Sequence, residues 1–247
     1  SHRRSAYEST TGMRTLNFSS VLNGVAQLSG LDRDNLSTSE FKRIRDLADG
    51  RLAMIWEGEY WPETLRVASA VVTDTDGVEV APFPSDAGEI LNVLNKNPRK
   101  TTQASLLSWS IYDDGTDRYI QLRDSTTPVH VEYRVIRPNL TGDIYASTST
   151  YVSGDQVYSS GNLYDANQAV GVSEPPATAT AKWDLVKIPK NFQNYLIRGA
   201  FADYLRSTGD NELAAVADQN AESIMMMEAD KLYRQQGQTR RLDVLTY

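Results

Sequence analysis

Residues 191–237 read NFQNYLIRGAFADYLRSTGDNELAAVADQNAESIMMMEADKLYRQQG. Apolar residues recur on both sides of Thr208-Gly209-Asp210 at steps of three and four, the period of an amphipathic helix. The three residues between them are typical of a turn. This stretch therefore predicts a helical hairpin, with helices over about 191–208 and about 211–236.

The second helix of this hairpin is expected to turn one apolar face inward. Met225-Met226-Met227 spans about 200° of the helix surface, so at least one methionine faces away from the core of its own chain. Ordinary packing and a subunit interface both stay open for these methionines. The predicted inner face consists of Leu213, Val216, Ala217, Ile224, Met227 and Leu232.

Two more helices are predicted before residue 65. Ser19 or Ser20 is expected to cap the first helix, which ends near Gly30. The second opens with Ser37-Thr-Ser-Glu40, which has the spacing of a capping box. A single apolar stripe follows, formed by Phe41, Ile44, Leu47, Ala48, Leu52, Ile55 and Trp56.

From Leu65 onward the apolar period changes to two, which is typical of half-buried strands. Residues 113–117, Asp-Asp-Gly-Thr-Asp, have the composition of a hairpin turn in which Gly115 supplies the positive φ. Six strands are predicted, over Leu65–Thr73, Val78–Ala81, Glu89–Leu94, Leu106–Asp113, Arg118–Arg123 and Val129–Arg137.

Residues 138–188 are rich in Ser, Thr, Gly, Tyr and Pro and predict a small β module. The helices at both ends of the chain each carry an apolar stripe that must be covered. We therefore predict an α+β fold, a helical bundle formed by N- and C-terminal helices with an inserted antiparallel β domain and the small module. The predicted domains are 1–64 (N-terminal helices), 65–137 (β domain), 138–188 (small β module), 189–236 (C-terminal hairpin) and 237–247 (extended arm).

Composition limits the function classes. A net charge of −7 argues against a surface that grips duplex nucleic acid, because phosphate binding needs clustered Lys and Arg. With no cysteine, the chain has no disulfide, thiolate nucleophile or cysteine-ligated zinc. No apolar run is long enough to span a bilayer, and no apolar segment typical of a secretion signal is present. We expect no membrane partner and no cofactor.

No group of residues in the sequence predicts catalysis, so we expect a protein that is not an enzyme. His130 stands alone in a predicted strand, without a positioned nucleophile. The carboxylates of residues 113–117 could ligate calcium, but their spacing is not that of an EF-hand loop and favours a plain turn. Glu57 and Glu59 would serve glycoside hydrolysis only across a cleft, and nothing in the sequence places them there.

Five segments near the two ends resemble the first and last helices of head–tail adaptor proteins from tailed bacteriophages. They are Leu28–Leu31, Phe41–Arg45, Trp56–Glu63, Ala200–Leu205 and Ala229–Gly237. The resemblance implies a virion protein of the neck, made in the host cytoplasm. Such adaptors form a ring, commonly of twelve subunits, between the portal protein and a tail, stopper or nozzle protein. DNA passes through the ring without sequence-specific binding.

The same resemblance implies that the C-terminal arm, residues 237–247, engages the portal. Apolar and polar residues alternate in this arm, a pattern that suits adding a strand to a sheet edge of a partner. The residues assigned to portal binding are Arg240, Arg241, Leu242, Val244, Leu245 and Tyr247.

A second resemblance lies in the small β module. Tyr151-x-x-Gly154-Asp155-x-Val157, Gly161-x-x-Tyr164-x-Ala166 and Trp183 are similar to the pattern of small chitin-binding-type carbohydrate-binding modules. This resemblance implies that Tyr151, Tyr164 and Trp183 stack on sugar. It gives an alternative function, a carbohydrate-binding accessory or decoration protein acting through residues 143–187.

Overall fold

The computed structural model describes residues 14–75, 77–123 and 127–235. In this part of the chain the predicted α+β class is confirmed. The α-helices are α1 (Phe18–Leu28), α2 (Thr38–Gly58), α3 (Gln193–Thr208) and α4 (Asn211–Gln235). The strands are β1 (Leu65–Ala70), β2 (Thr73–Thr75), β3 (Val78–Pro82), β4 (Ala87–Leu94), β5 (Trp109–Asp113), β6 (Arg118–Leu122), β7 (Val129–Val135), β8 (Asp143–Ile144), β9 (Gln156–Ser159), β10 (Asn162–Ala166) and β11 (Trp183–Leu185).

The chain divides into two compact units. The second unit is Trp56–Arg137, and the described residues outside it belong to the first. The boundary falls near the end of α2, so that Trp56 is counted with the strands of the second unit. The first unit therefore brings together helices that lie more than a hundred residues apart in sequence.

Local capping interactions fix where α1 and α2 begin. The predicted cap of α1 at Ser19 or Ser20 is wrong, because the side chain of Asn17 accepts the Ser19 amide at 3.1 Å and the helix starts at Phe18. The capping box of α2 is confirmed. Ser37 Oγ accepts the Glu40 amide at 3.2 Å, and Glu40 Oε2 accepts the Ser37 amide at 2.8 Å.

The break between α3 and α4 is confirmed at Gly209, whose φ of 90° lies in the left-handed region. This conformation is accessible to glycine because it lacks a Cβ. The Gly209 amide donates to the Arg206 carbonyl at 3.1 Å, which closes the last turn of α3. The chain can then reverse, and α4 packs along α3.

The predicted inner face of α4 is wrong for three of its six residues and is confirmed for Ala217 and Leu232. Leu213 and Val216 are each 56% exposed, and Met227 is 60% exposed. Small side chains on a buried face allow two helix backbones to approach closely. The buried residues of α4 are Ala214, Ala217, Ala221, Ala229 and Leu232.

The small β module of the first unit is a four-stranded sheet with the order β11-β10-β9-β8. The β8–β9 pair is parallel, and the other two pairs are antiparallel. A cluster of buried side chains covers one region of the sheet, formed by Val157, Ala166, Val170 and Trp183.

The second unit contains two antiparallel sheets with the orders β1-β7-β4 and β2-β3-β6-β5. The predicted strand Leu65–Thr73 is divided, since β1 ends at Ala70 and Thr73 begins β2. The hairpin at residues 113–117 is confirmed, with Asp113 paired to Arg118 and Gly115 at a φ of 88°. The core residues include Ala81, Val93, Ile120, Val129 and Val131.

None of the helices in the described ranges is long and apolar enough to cross a membrane.

The alanine face of α4 leads to a test of packing. We expect Ala221→Leu to lower the free energy of unfolding by about 1–3 kcal/mol, because Ala221 is fully buried and added methylenes overpack the contact. Ala215→Leu, at an exposed position of the same helix, is the matched control and should change stability by less than about 0.5 kcal/mol. Chemical denaturation measures both. Equal effects of the two substitutions would contradict the assigned inner face.

Candidate docking surfaces

A buried arginine joins three helices of the first unit. Arg51 on α2 is only 4% exposed, and its Nε and Nη2 donate to the Asp203 carboxylate on α3 at 2.6 and 2.7 Å. Its Nη2 also forms an ion pair with Asp218 on α4 at 2.7 Å. Arg206 contacts both carboxylates from the outside, at 2.7 Å to Asp203 and 2.5 Å to Asp218. Two cations thus share two carboxylates.

The stem of Arg51 fits because residue 199 is glycine. A Cβ at this position would lie 2.7 Å from Cδ of Arg51, closer than side-chain carbons approach one another. The predictions from the sequence did not include this network, although the sequence contains a signal for it. Arg51 lies three residues after Ala48 and four before Ile55, and is therefore on the apolar stripe of α2.

The network shifts the pKa of its members. Burial lowers the pKa of Arg51, but hydrogen bonds and the charges of Asp203 and Asp218 outweigh it, so the pKa is raised and the guanidinium stays charged. Burial alone would raise the pKa of Asp218, yet Arg206 and Arg51 hold it below its usual range. Arg51, Arg206 and Asp218 are therefore charged together at neutral pH.

A second arginine of α2 holds the beginning of the small β module. Arg45 is buried and donates to the carbonyl oxygens of Thr141 and Gly142 at 2.9 and 3.1 Å. It also pairs with Asp143 at 2.7 Å, and Asp49 accepts the Leu140 amide at 2.7 Å. These contacts fix residues 140–143 against α2.

The outward side of α4 has two apolar flanks. Leu213, Val216 and Met227 follow one flank, and Met226 and Tyr233 lie on the other, at 65% and 55% exposure. Residues 226 and 227 differ by about 100° around the helix axis, so the two flanks point in different directions on the outward side of α4. Large apolar residues clustered in this way mark candidate interaction surfaces.

A groove continues the first flank. It has a volume of about 480 Å³ and lies among α1, α3 and α4. Ile224 lines the groove and belongs to the same flank as Leu213 and Met227. The other lining residues are Gly24, Gln27, Leu28, Asn194, Ile197 and Arg198.

The comparisons give no family. The chain matches no protein-family model, and no curated protein is significantly similar to it. Functional inference therefore rests on the geometry of the chain and on the resemblances described above.

The predicted sugar-stacking residues lie in the small β module, where their rings are engaged by neighbours. Trp183 is 4% exposed and donates its indole N–H to the Glu174 carbonyl at 3.0 Å. The ring of Tyr151 stacks on Tyr145 at 5.6 Å and meets the edge of Trp183 at 5.4 Å. Tyr164 is half-buried in β10. Sugar stacking needs an open ring face, so the burial of Trp183 argues against a sugar platform at that ring.

In the acidic turn at 113–117, the carboxylates of Asp113 and Asp114 accept hydrogen bonds from backbone amides of the same turn. Asp114 Oδ1 accepts the amides of Thr116 and Asp117, each at 2.8 Å, and these bonds lower the pKa of Asp114. Asp113 Oδ1 accepts the Gly115 amide at 2.9 Å. Within the described ranges no group of three or more His, Cys, Asp or Glu side chains could hold a metal ion.

His130 is half-buried in β7.

The assigned portal-binding residues, Arg240, Arg241, Leu242, Val244, Leu245 and Tyr247, lie outside the described residues. Their assignment stays a prediction.

The arginine network predicts a pH dependence of stability. Because the pKa of Asp218 is lowered on folding, its contribution is fully present above its unfolded pKa of about 3.9 and is lost as pH falls through the folded value. At pH 7 we expect Asp218→Asn to cost about 1.5–3 kcal/mol of unfolding free energy. The difference in unfolding free energy between Asp218→Asn and wild type should shrink as pH falls below about 4. Denaturant titrations from pH 7 to pH 3 measure it.

Glu222→Gln, on an exposed position of α4, is the matched control and should differ from wild type in unfolding free energy by less than about 0.5 kcal/mol at every pH. A cost for Asp218→Asn that does not change with pH would contradict the proposed role of its charge.

The aromatic cluster gives a test of the small β module. We expect Trp183→Ala to lower the free energy of unfolding by about 3–5 kcal/mol, because the substitution opens a cavity in a buried cluster. Val152→Ala, at an exposed apolar position, is the control. Denaturation and retention on chitin are measured together. Retention of wild type that Trp183→Ala removes without loss of stability would favour the sugar-binding alternative.

Proposed function

We propose that the chain is a virion structural protein, a subunit of an adaptor ring that joins the portal protein to the tail. The observation that carries this proposal is the outward side of α4. Leu213, Val216 and Met227 are exposed on one flank, and Met226 and Tyr233 on the other. Burying these side chains against another protein is favourable, and we assign them to neighbouring copies of the chain.

Two different flanks suit a head-to-tail contact better than a two-fold one. A two-fold dimer requires only one self-complementary patch, which both copies share. A head-to-tail contact uses two distinct surfaces of each copy and closes into a ring when the rotation between neighbours is fixed. In the proposed ring, the flank of Leu213 in one subunit faces a neighbour on one side, and the flank of Tyr233 faces the neighbour on the other.

The four helices of the first unit would form the rigid body of each subunit, a helical bundle. Arg51 binds carboxylates on α3 and α4, so the orientation of α4 is set before association. A pre-organised surface loses less conformational freedom when it binds. A ring also repeats each modest contact many times, so that the assembled joint gains through multivalency.

The portal and tail protein are proposed as partners from the resemblance of the terminal helices to phage adaptors. The net charge of −7 supports this role, because an acidic wall repels phosphate groups and lets DNA pass without adhering.

Electron microscopy of the chain mixed with its portal protein tests the proposal. We expect annular complexes in which copies of the chain extend the portal ring, whether or not the isolated chain forms rings. Failure to find any annular complex over a range of concentrations and salt would contradict the proposed function.

A matched pair of variants assigns the contact within such complexes. Val216→Asp with Met227→Asp should abolish the annular complexes while leaving the thermal midpoint unchanged, since both side chains are exposed. Val71→Asp with Val152→Asp adds the same charge at exposed apolar positions outside α4 and should assemble normally. Normal assembly of the first variant would show that this flank is not an interface.

A further inference from the structure

Strand β5 leaves one edge of its sheet open. In the order β2-β3-β6-β5, it is the terminal strand, and β6 is its one neighbour among the described residues. Backbone N–H and C=O groups along such an edge can pair with a strand from another chain. Four of the five residues of β5 are exposed, and Trp109 is half-buried.

The apolar face of this sheet continues to β5 without being covered there. Ile111 lies opposite Ile120 in the ladder and shares its face, yet Ile120 is fully buried while Ile111 is 53% exposed. Trp109 lies opposite Leu122, which is buried. One more strand with apolar residues at alternate positions would extend this face and cover Ile111.

The two ends of β5 differ in charge. Its C-terminal end enters the acidic turn, where Asp113, Asp114 and Asp117 lie within five residues. Arg118 pairs with this group, with its Nε at 3.8 Å from Asp113. A strand arriving with basic residues at this end would gain opposite-charge neighbours.

The arm carries the complementary pattern in its sequence, Arg240-Arg241-Leu242-Asp243-Val244. In an antiparallel pairing, Arg240 opposes Asp113, Leu242 opposes Ile111 and Val244 opposes Trp109, all on the same face. A shift by one residue would place Arg241 and Asp243 on the apolar face. A parallel pairing would place both arginines away from the acidic turn. The charges and the alternation of apolar residues therefore favour one strand direction and one register for the pairing of residues 240–244 with β5.

We propose that residues 240–244 of one chain pair as an antiparallel strand with β5 of a second copy, in the register Arg240–Asp113, Leu242–Ile111 and Val244–Trp109. The choice of a second copy rests on the self-association in the proposed function, because the arm follows α4, whose flanks are assigned to neighbouring copies. The arm is thereby assigned to a neighbouring subunit rather than to the portal.

Engineered disulfides test this register, since the chain contains no cysteine. Full-length Ile111→Cys and full-length Leu242→Cys chains are mixed in equal amounts together with the portal protein and mildly oxidised. Opposed residues in an antiparallel pair lie about 4.5–5.5 Å apart between Cα atoms, within disulfide range. We expect a covalent dimer whose linked peptide, identified by mass spectrometry, joins residues 111 and 242.

Ile111→Cys mixed with Asp243→Cys is the matched control, because residue 243 faces the other side of the strand. We expect its yield to be at least about tenfold lower, as a cysteine on the opposite face cannot reach. Arg240→Glu in the Leu242→Cys chain should reduce linkage several-fold, and Asp113→Lys in the Ile111→Cys chain should restore it.

Equal linkage of the two mixtures, or no linkage in either, would overturn the proposal. So would linkage confined within one chain when Ile111→Cys and Leu242→Cys are combined in it. Annular complexes with the portal but no 111–242 linkage would reject this inference and leave the proposed function standing. A 111–242 linkage without annular complexes would support this inference and contradict the proposed function.

Discussion

The guanidinium group of Arg51 is the constraint on which the first unit depends. It is buried on α2 and binds carboxylates from α3 and α4, which come from the other end of the chain. A buried cation that lost these partners would carry a large desolvation cost. The arrangement also requires glycine at residue 199, where a side chain would meet the Arg51 stem. Charge pairing thus sets how three helices meet.

The orientation imposed by Arg51 accounts for the surface of α4. Asp218 must face inward to reach Arg51, and the residues that share its side of the helix are the small ones, Ala214, Ala217 and Ala221. The bulky side chains at 213, 216 and 227 then face outward. The exposed apolar surface of α4 therefore follows from the internal packing of the chain. The proposed ring contact would bury this surface.

Features set by near neighbours in the sequence could be predicted from it. The capping box at Ser37, the break at Gly209 and the turn around Gly115 each depend on a few adjacent residues. The inward face of α4 could not be predicted in the same way, because α4 carries two overlapping apolar stripes. The ion pair of Asp218 with Arg51, a residue distant in sequence, favours one of them. Likewise, an aromatic pattern does not indicate whether the ring of Trp183 is buried or open.

Methionine oxidation tests most directly whether the outward side of α4 is a subunit contact. Met226, Met227 and Met54 are 65%, 60% and 60% exposed in the single chain, so peroxide should oxidise all three at similar rates. In the complex with the portal protein, we expect Met226 and Met227 to be protected from oxidation while Met54, on α2, keeps its rate of oxidation. Unchanged oxidation of Met226 and Met227 in assembled complexes would contradict this expectation.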